Sequence, residues 1–339
     1  HAPLPELMAL AHAVRRRLVP RDDVTWMIDR NMNITNICVS GCKFCNYYRG
    51  KNHPDAYVTP LKEYEEKIAE TFRLGGEQLL LQGGMHPELG LRFYADLFQA
   101  LKQIEPRLKL HALGPPEIVH LARMESMTYG EVLDVLIEAG MDSLPGAGAE
   151  ILSDRVRKIV SPAKCSALEW LDVMRDAHQR GMLTSATMMF GHAENAQERI
   201  DHLLLLREVQ DDKPAGTPGF MSFIAWPFQD EGTVLSRILG IRNSARAIDY
   251  VRLIALARVV LDNIPHIQAS WLTVGRDVAQ ICLDAGADDL GSIMIEENVV
   301  SKAGATFRMN AREMQDTILE AGYRPVLRNQ GFEERGVVS

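Results

Sequence analysis

The sequence predicts an α/β fold in which eight parallel strands and their helices close into one (β/α)8 barrel. Eight short apolar segments alternate with longer segments of helical periodicity, and no proline-, glycine- and serine-rich linker interrupts them. Most of the apolar segments end in glycine, proline or polar residues. Alternating strands and helices imply a parallel sheet, and eight such units in one chain suit a closed barrel. A doubly wound open sheet is the alternative that the pattern leaves open.

The elements follow one another in a regular order. The predicted strands are the apolar runs at 25–37, 78–82, 108–113, 142–144, 183–190, 220–228, 267–272 and 289–295. Helical periodicity and terminal signals predict helices at 5–18, 60–74, 91–104, 117–124, 130–139, 166–180, 197–210, 245–261, 275–285 and 310–321. We therefore divide the chain into an N-terminal helical extension (1–24), the barrel (25–309) and a C-terminal helix and tail that pack on it (310–339).

Composition narrows the possible functions. The chain has 339 residues, 46% of them apolar, which is ample for a core. Its formal charge of −8 is spread without long runs of one sign, which argues against nonspecific nucleic-acid binding. No run of apolar residues is long enough for a membrane span. Five cysteines, an odd number with three close together, suit a reducing compartment, so we expect a cytoplasmic protein.

Three cysteines, Cys38, Cys42 and Cys45, follow the first predicted strand at x3 and x2 spacing. Thiolates this close together are soft ligands that suit an iron–sulfur cluster or zinc. The other cysteines, Cys165 and Cys282, stand alone in the sequence, so no local fourth thiolate completes the set. Three protein ligands leave one metal position open for chemistry. A zinc knuckle and three buried structural cysteines are the alternatives.

Unusual residues collect where the other strands end, and barrel active sites lie at the C-terminal ends of strands. The expected ring around one barrel mouth comprises the cysteine loop with Gly83, Gly84, His86, His111 and the residues after it to Pro116, Glu150, His192, Trp226, Gln229, Ser270, Trp271, Glu296 and Glu297. Each has a structural alternative: a tight turn for the glycines, core packing for the tryptophans, a structural role for the histidines and solvation for the glutamates. The coincidence of so many polar groups at strand ends favours a functional mouth.

The cysteine spacing, at the end of the first strand of a predicted barrel, resembles the radical S-adenosylmethionine (SAM) superfamily. The stretches 35–45, 82–84, 116–118, 148–152 and 190–192 look like the branch containing menaquinone and deazaflavin biosynthesis enzymes. The resemblance runs from about residue 25 to 330, with small departures at Ser40-Gly41 and Asn46-Tyr47. These departures remove no cysteine.

The resemblance implies a 4Fe-4S cluster held by Cys38, Cys42 and Cys45, with SAM bound at the open iron. It also implies that the turn at Gly83 and Gly84 exposes backbone carbonyls to the SAM amino group. The remaining residues implied to serve the cofactors are Glu150 for the SAM ribose, Arg155 for the SAM carboxylate and Phe44 as a shield of the cluster. For Arg155, a surface salt bridge is the alternative.

The resemblance further implies a radical reaction on a small-molecule substrate, with an external flavodoxin or ferredoxin as electron donor. The residues expected to bind substrate are His86, Trp226, Gln229, Ser270 and Trp271, and those expected to accept a proton are His192, Glu296 and Glu297. The stretches 114–117, 154–158, 225–229, 267–271 and 294–298 favour a futalosine-pathway enzyme that cyclises its substrate. The alternatives are a sibling that adds the adenosyl radical to an enolpyruvyl benzoate, and a non-radical zinc-binding barrel.

Overall fold

The computed structural model describes residues 2–296, 302, 304 and 306–336. Within these ranges, ten parallel strands form one sheet. They are β1 (Asp23–Met27), β2 (Asp29–Asn33), β3 (Gln78–Gln82), β4 (Lys109–Ala112), β5 (Ser143–Leu144), β6 (Leu183–Phe190), β7 (Gly219–Pro227), β8 (His266–Ala269), β9 (Asp289–Ser292) and β10 (Arg324–Leu327).

Helices connect successive strands, as expected for parallel pairing. They are α1 (Leu4–Leu18), α2 (Leu61–Arg73), α3 (Leu91–Ile104), α4 (Pro115–Glu125), α5 (Tyr129–Glu138), α6 (Asp154–Val160), α7 (Ala167–Gln179), α8 (Ala196–Asp211), α9 (Val234–Arg237), α10 (Ala247–Val260), α11 (Trp271–Val274), α12 (Arg276–Asp284) and α13 (Ala311–Glu320). None of the described helices combines the length and apolar character needed to cross a membrane.

The sheet closes on itself through the first extended segment, which is interrupted at Ile28 into β1 and β2. The first half, β1, pairs with β9 and β10, whereas β2 pairs with β3. Beyond β9, the amides of Ile293 and Ile295 donate to the carbonyls of Met27 and Asp29, both at 3.1 Å. The segment that contains β1 and β2 therefore joins the two ends of the sheet. The predicted barrel fold is confirmed.

Several elements differ from the predicted ones, and two of the differences affect the site. The C-terminal tail contains β10, which pairs in parallel with β1. This strand was not predicted, because its four residues, which include Arg324 and Pro325, are too few to show the alternating pattern of a strand. Strand β8 ends at Ala269 rather than at Leu272. There the chain turns into the short helix α11, and the amides of Thr273 and Val274 donate to the Ser270 carbonyl.

The helices begin where local hydrogen bonding allows and bury one face against the sheet. Capping boxes start α5 at Thr128, α7 at Ser166 and α8 at Asn195, each satisfying backbone amides that would otherwise lack partners. Large side chains such as Phe98 and Trp170 are fully buried between the helices and the sheet. This packing fixes the strands, and the strand ends in turn fix the site.

Candidate active site

A cavity of about 400 Å³ lies at the C-terminal ends of the strands and extends down into the barrel. Its volume lies in the range of small-molecule sites. The predicted residues that line it are Cys38, Cys42, Phe44, Cys45, Gly83, Gly84, Glu150, Trp226, Gln229, Ser270 and Trp271. The folded chain thus brings together residues from both halves of the sequence around one space.

The cysteine loop presents its sulfur atoms to this cavity in a network of weak hydrogen bonds. The amides of Ser40 and Met85 donate to Cys38 Sγ at 3.4 and 3.3 Å. The Ser40 hydroxyl lies 2.9 Å from Cys38 Sγ and 3.3 Å from Cys42 Sγ. Cys45 Sγ receives the backbone amides of Tyr47 and Tyr48. Amide bonds to sulfur are one of the means by which proteins tune iron–sulfur clusters.

The thiols of Cys42 and Cys45 are protonated in the metal-free protein and would lose those protons to a metal. Burial raises the pKa of the Cys42 thiol to about 12 and also raises the pKa of Cys45. Coordination by a metal cation deprotonates a thiol. Among the described residues, no three histidine, cysteine or acidic side chains are close enough to hold one ion. A four-iron cluster binds each thiolate through a different iron, so a loop that surrounds it with three sulfurs fits.

The glycine turn after β3 is required by close packing against the cysteine loop. A Cβ atom on Gly84 would lie 2.1 Å from the Ile37 carbonyl oxygen and 2.8 Å from Cys38 Cβ. The Gly84 amide also donates to the Thr35 carbonyl at 2.8 Å. This position therefore admits no side chain, and the turn holds the loop that bears the cysteines.

The loop before α6 presents Glu150 to the cavity in a strained conformation. Its φ is +42°, a region that side-chain-bearing residues rarely occupy outside functional sites. The Lys164 ammonium donates to Glu150 Oε1 at 2.9 Å, and Oε2 has no hydrogen-bond partner within the described ranges. Buried Arg157 supports the loop by donating to the carbonyls of Gly148 and Ala149 at 3.1 and 2.7 Å. Glu150 Oε2 lies 3.5 Å from Arg157 Nη1 in an ion pair, and it can still accept a hydrogen bond from a ligand hydroxyl.

Two charged residues that the sequence did not single out as site residues join Glu150 in the cavity wall. Burial raises the pKa of Glu117 to about 7, which leaves this carboxyl partly protonated near neutral pH. The Lys164 ammonium lies 5.3 Å from the centre of the Phe44 ring. Glu117 lies in the stretch 114–117, which supports the family resemblance. Lys164 belongs to no recognisable motif, so its place in the site is visible only in the folded structure.

Aromatic side chains form part of the wall of the same cavity. Trp226 and Phe228 come from the end of β7, and Trp271 begins α11. The Trp271 indole N–H donates to the Ser292 carbonyl at 3.2 Å, which fixes the ring. Gln229 donates its side-chain N–H to the Pro227 carbonyl at 3.0 Å. Such a wall offers a flat surface for an aromatic part of a ligand.

The floor of the cavity is polar, and of its residues the sequence pointed only to His111. Barrel interiors are usually filled by branched apolar side chains, whereas Asp29, Asn31 and His111 line this one. Burial lowers the pKa of His111 to about 3, and its Nδ1 lies 2.7 Å from the Ser143 hydroxyl. The signal was present, because β2 reads Asp-Arg-Asn-Met-Asn, with polar residues at every second position.

Arg328 also lines the floor, but its guanidinium is already engaged. Its Nε and Nη2 donate to the two Asp289 oxygens at 2.6 and 2.9 Å, and Nη1 donates to the Asn329 carbonyl. The pair is almost completely buried. This arginine joins β10 to the barrel floor.

Four predicted site residues lie outside the cavity lining. Arg155 is half exposed and forms an ion pair with Glu198 at 2.5 Å, which is the surface salt bridge named above as the alternative. Its side chain points away from the loop that Arg157 supports, because the two residues lie on different faces of α6. His86 is buried, with its Nδ1 accepting the Glu88 amide at 3.0 Å. The expected cavity positions of Arg155 and His86 are therefore wrong.

His192 and Glu296 are engaged elsewhere in the same way. The His192 Nε2 donates to the Met189 carbonyl at 2.9 Å, and Nδ1 accepts the Ala193 amide at 2.7 Å, so both ring nitrogens are engaged. Glu296 Oε2 accepts from Arg30 and Lys67 at 2.9 and 2.6 Å. Neither residue lines the cavity, contrary to expectation. Glu297, the third expected proton acceptor, lies outside the described residues.

Comparison with known proteins adds two family matches that together span most of the chain. A model of the radical SAM superfamily matches residues 32–206. A model described as the CofH/MqnC C-terminal region matches residues 217–339. The first match contains the cysteine loop, and the second contains Trp226, Trp271 and β10.

Curated relatives match nearly the whole chain but bear three different names. The chain is 44% identical to a cyclic dehypoxanthine futalosine synthase of Streptomyces coelicolor, over 98% of this chain and 82% of that protein. It is 39% identical to an aminodeoxyfutalosine synthase of Thermus thermophilus, over 98% and 88%. It is 38% identical to a 5-amino-6-(D-ribitylamino)uracil–L-tyrosine 4-hydroxyphenyl transferase of Archaeoglobus fulgidus, over 96% and 92%.

Solved structures support the fold. The crystal structure of methylornithine synthase matches with a TM-score of 0.72 at 19% identity, over 96% of this chain and 90% of that one. HydG, a maturase of the [FeFe]-hydrogenase, matches with a TM-score of 0.70 at 14% identity, over 95% and 68%. At these low sequence identities the structural similarity shows only that the barrel fold is shared.

Proposed function

The chain belongs to the radical SAM superfamily, and we propose that it cyclises dehypoxanthine futalosine to cyclic dehypoxanthine futalosine in menaquinone biosynthesis. Enzymes of this superfamily use a 4Fe-4S cluster and SAM. The observation that carries the proposal is one cavity lined both by the three cysteine thiols and by the aromatic side chains of Trp226 and Trp271. The relative at 44% identity, named for this reaction, supports it.

In this proposal, Cys38, Cys42 and Cys45 hold the cluster, and Gly83, Gly84 and Glu150 contact SAM. Lys164 replaces Arg155 as the cation beside the SAM site, since it is buried next to Glu150 and Phe44. When bound, the cluster and SAM together supply a 5′-deoxyadenosyl radical. The chain's residues then have to bind the substrate, orient it and exclude water.

The proposed reaction balances as an oxidative ring closure. The adenosyl radical takes the hydrogen atom from ribose carbon 4′, giving 5′-deoxyadenosine and a carbon radical. That radical forms a bond to the substrate's own benzoate ring. Loss of one electron, for which an oxidised cluster held by Cys38, Cys42 and Cys45 would be the acceptor, and of one proton would restore the aromatic ring. The product contains two hydrogen atoms fewer than the substrate.

The protein's contribution to this chemistry is mainly positioning. Carbon 4′ and the benzoate ring must be held near bonding distance, because proximity supplies much of the rate enhancement in such reactions. The wall formed by Trp226, Phe228 and Trp271 is suited to hold the ring. The described carboxyl groups that face the cavity are those of Asp29, Glu117 and Glu150. They take the place of His192 and Glu296 as candidates for the final proton.

We further propose a flavodoxin or ferredoxin as electron donor and the cytoplasm as compartment. The chain has five free cysteines, and free thiols beside an iron–sulfur site are suited to a reducing compartment. A low-potential protein donor meets the requirement for an electron that reduces the cluster before the first turnover.

Anaerobic incubation with SAM, dithionite and dehypoxanthine futalosine tests the proposal. Mass spectrometry is expected to show a product two hydrogen atoms lighter than the substrate, together with 5′-deoxyadenosine and methionine. The parallel assay offers the enolpyruvyl benzoate that the sibling enzyme uses. Conversion of that compound without cyclisation of the futalosine derivative would reject the proposal in favour of the sibling reaction. Stoichiometric zinc and no iron after anaerobic purification would reject both.

A further inference from the structure

Two buried polar side chains on the cavity floor lack hydrogen bonds that burial ordinarily requires. Asp29 and Asn31 occupy alternate positions of β2, so both face the barrel interior. They are only 4% and 2% exposed, and both line the cavity. Among the described residues, neither Asp29 Oδ1 nor Asn31 Oδ1 has a hydrogen-bond partner. Buried acceptors are nearly always satisfied in folded proteins, so this pair calls for an explanation.

The surroundings of Asp29 hold its carboxyl group in place and leave one oxygen open. Gln78 Nε2 donates to Asp29 Oδ2 at 3.3 Å. The Ser292 hydroxyl accepts the amides of Asp29 and Met294 at 3.1 and 2.9 Å, so its own proton is available for the carboxylate. With Oδ2 contacted in this way, Oδ1 is the acceptor that remains for a ligand.

The buried floor favours a neutral donor. The guanidinium of Arg328 lines the same floor, but its charge is paired with that of Asp289. A charged ligand group buried here would lose its hydration at a high free-energy cost. A hydroxyl group donates a hydrogen bond without carrying charge, and both open atoms are acceptors.

We propose that Asp29 and Asn31 bind two neighbouring hydroxyl groups of the substrate and thereby determine specificity for a ribose-containing molecule. The inference rests on the proposed function, whose substrate carries a ribose. Alternate residues of a strand are about 6.6 Å apart, and O–H···O bonds are about 2.7–2.8 Å long. Hydroxyls on adjacent carbons can therefore reach both acceptors at once.

This assignment also orients the substrate. The two acceptors lie on β2, whereas Trp226 and Trp271 come from the end of β7 and the start of α11. The ribose is then held by one wall and the benzoate ring by another. Ribose carbon 4′ lies between them, which is the arrangement that ring closure requires.

Binding measured without turnover tests the inference. The enzyme is loaded with cluster and SAM, kept anaerobic and unreduced, and titrated with dehypoxanthine futalosine and with its 2′-deoxy and 3′-deoxy analogues. We expect at least one analogue to bind wild type about tenfold more weakly or worse, because a hydrogen bond to a buried acceptor is lost and that acceptor is left unpaired. In Asp29→Asn the difference in affinity between the substrate and that analogue is expected to be smaller than in wild type. Asn31→Leu is expected to bind the full substrate more weakly.

Matched variants and separate readouts keep the outcomes distinct. Asp96→Asn, an exposed position on α3, is the control and is expected to retain the wild-type pattern. Iron content and thermal unfolding verify that each variant folds. Equal affinity of wild type for the substrate and both analogues would overturn the inference even if Asp29→Asn failed to fold. An unchanged difference in affinity between the substrate and that analogue in Asp29→Asn would also overturn it.

The experiments distinguish a failure of this inference from a failure of the proposed function. Cyclic product formed without any sensitivity to the ribose hydroxyls contradicts only the role of Asp29 and Asn31. The expected binding pattern without cyclic product contradicts only the proposed reaction.

Discussion

At the scale of single residues, the site depends on a few buried groups whose environment sets their chemistry. Burial keeps the Cys42 thiol protonated until a metal displaces its proton, and it brings the pKa of Glu117 to about 7. The Lys164 ammonium, itself buried, lies beside Glu150 and Phe44. These residues come from separate loops, and each acquires its role only through its neighbours.

Replacing one cavity cysteine is expected to remove the cluster. Cys42→Ala should lose both iron and 5′-deoxyadenosine formation, because an alanine cannot ligate iron. Cys282→Ala is the matched control, since this buried cysteine lies on α12 and does not line the cavity. Iron analysis after anaerobic reconstitution should give about four irons per chain for the control. Retention of iron by Cys42→Ala would mean that a different residue ligates the cluster.

The Glu117 carboxyl is expected to make stability depend on pH. Its folded pKa of about 7 lies above the ordinary value of 4.5. Between these values the folded chain holds a proton that the unfolded chain has lost, so the free energy of unfolding falls as pH rises through that window. Above about pH 7 this stabilisation is absent.

Thermal unfolding of SAM-free enzyme at about pH 5 and about pH 8 measures this effect. Wild type should lose more thermal stability across the range than Glu117→Gln, in which the titrating group is gone. Parallel losses in the two proteins would show that Glu117 titrates normally.

At the scale of secondary-structure elements, turns and helix faces decide which residues meet. Residues two apart on a helix do not share a face, and α6 illustrates this: Arg157 is buried beneath the Glu150 loop, whereas Arg155 faces Glu198 at the surface. The turn after β3 similarly fixes the cysteine loop through Gly84. Positions within an element therefore matter more than residue type.

A methyl group on Gly84 is expected to disrupt the cysteine loop. Gly84→Ala would place Cβ 2.1 Å from the Ile37 carbonyl oxygen, so β3 or the loop must shift. Iron content and melting temperature should both fall. Gly50→Ala is the control, because no described atom lies within 4 Å of its Cβ position. Equal iron retention by the two variants would contradict the packing role of Gly84.

The sequence predicts elements well where their signal is local. The strands Gln78–Gln82 and Leu183–Phe190 and the helix Leu91–Ile104 have the predicted bounds, because each is long or strongly patterned. The cysteine triplet was found for the same reason. By contrast, Asp29, Lys164 and Arg328 come from distant segments, and no spacing in the chain links them. Only closure of the barrel brings them to one cavity.

At the scale of the whole molecule, the C-terminal tail helps to complete the barrel. Strand β10 pairs with β1, and Arg328 after it forms a buried ion pair with Asp289 of β9. The same tail contributes Arg328 and Gln330 to the cavity lining. Residues that follow the last helix thus belong to both the fold and the site.

Two arginines of this tail allow a matched test. Arg328→Ala should lower the free energy of unfolding by about 3–5 kcal/mol, because it leaves the Asp289 charge buried and unpaired. Arg324→Ala breaks an exposed pair with Asp23, which solvent screens, and should lower the melting temperature far less. The double variant Arg328→Ala/Asp289→Asn should recover part of the loss. Similar melting temperatures for the two single variants would contradict this account of the tail.

The central claim, that the cavity brings ribose carbon 4′ to the adenosyl radical, has one direct test. Dehypoxanthine futalosine bearing deuterium at carbon 4′ is incubated anaerobically with the enzyme, SAM and dithionite, and both products are examined by mass spectrometry. The account predicts one deuterium in 5′-deoxyadenosine and none in the cyclic product. Unlabelled 5′-deoxyadenosine, with the deuterium retained in a cyclic product, would contradict it.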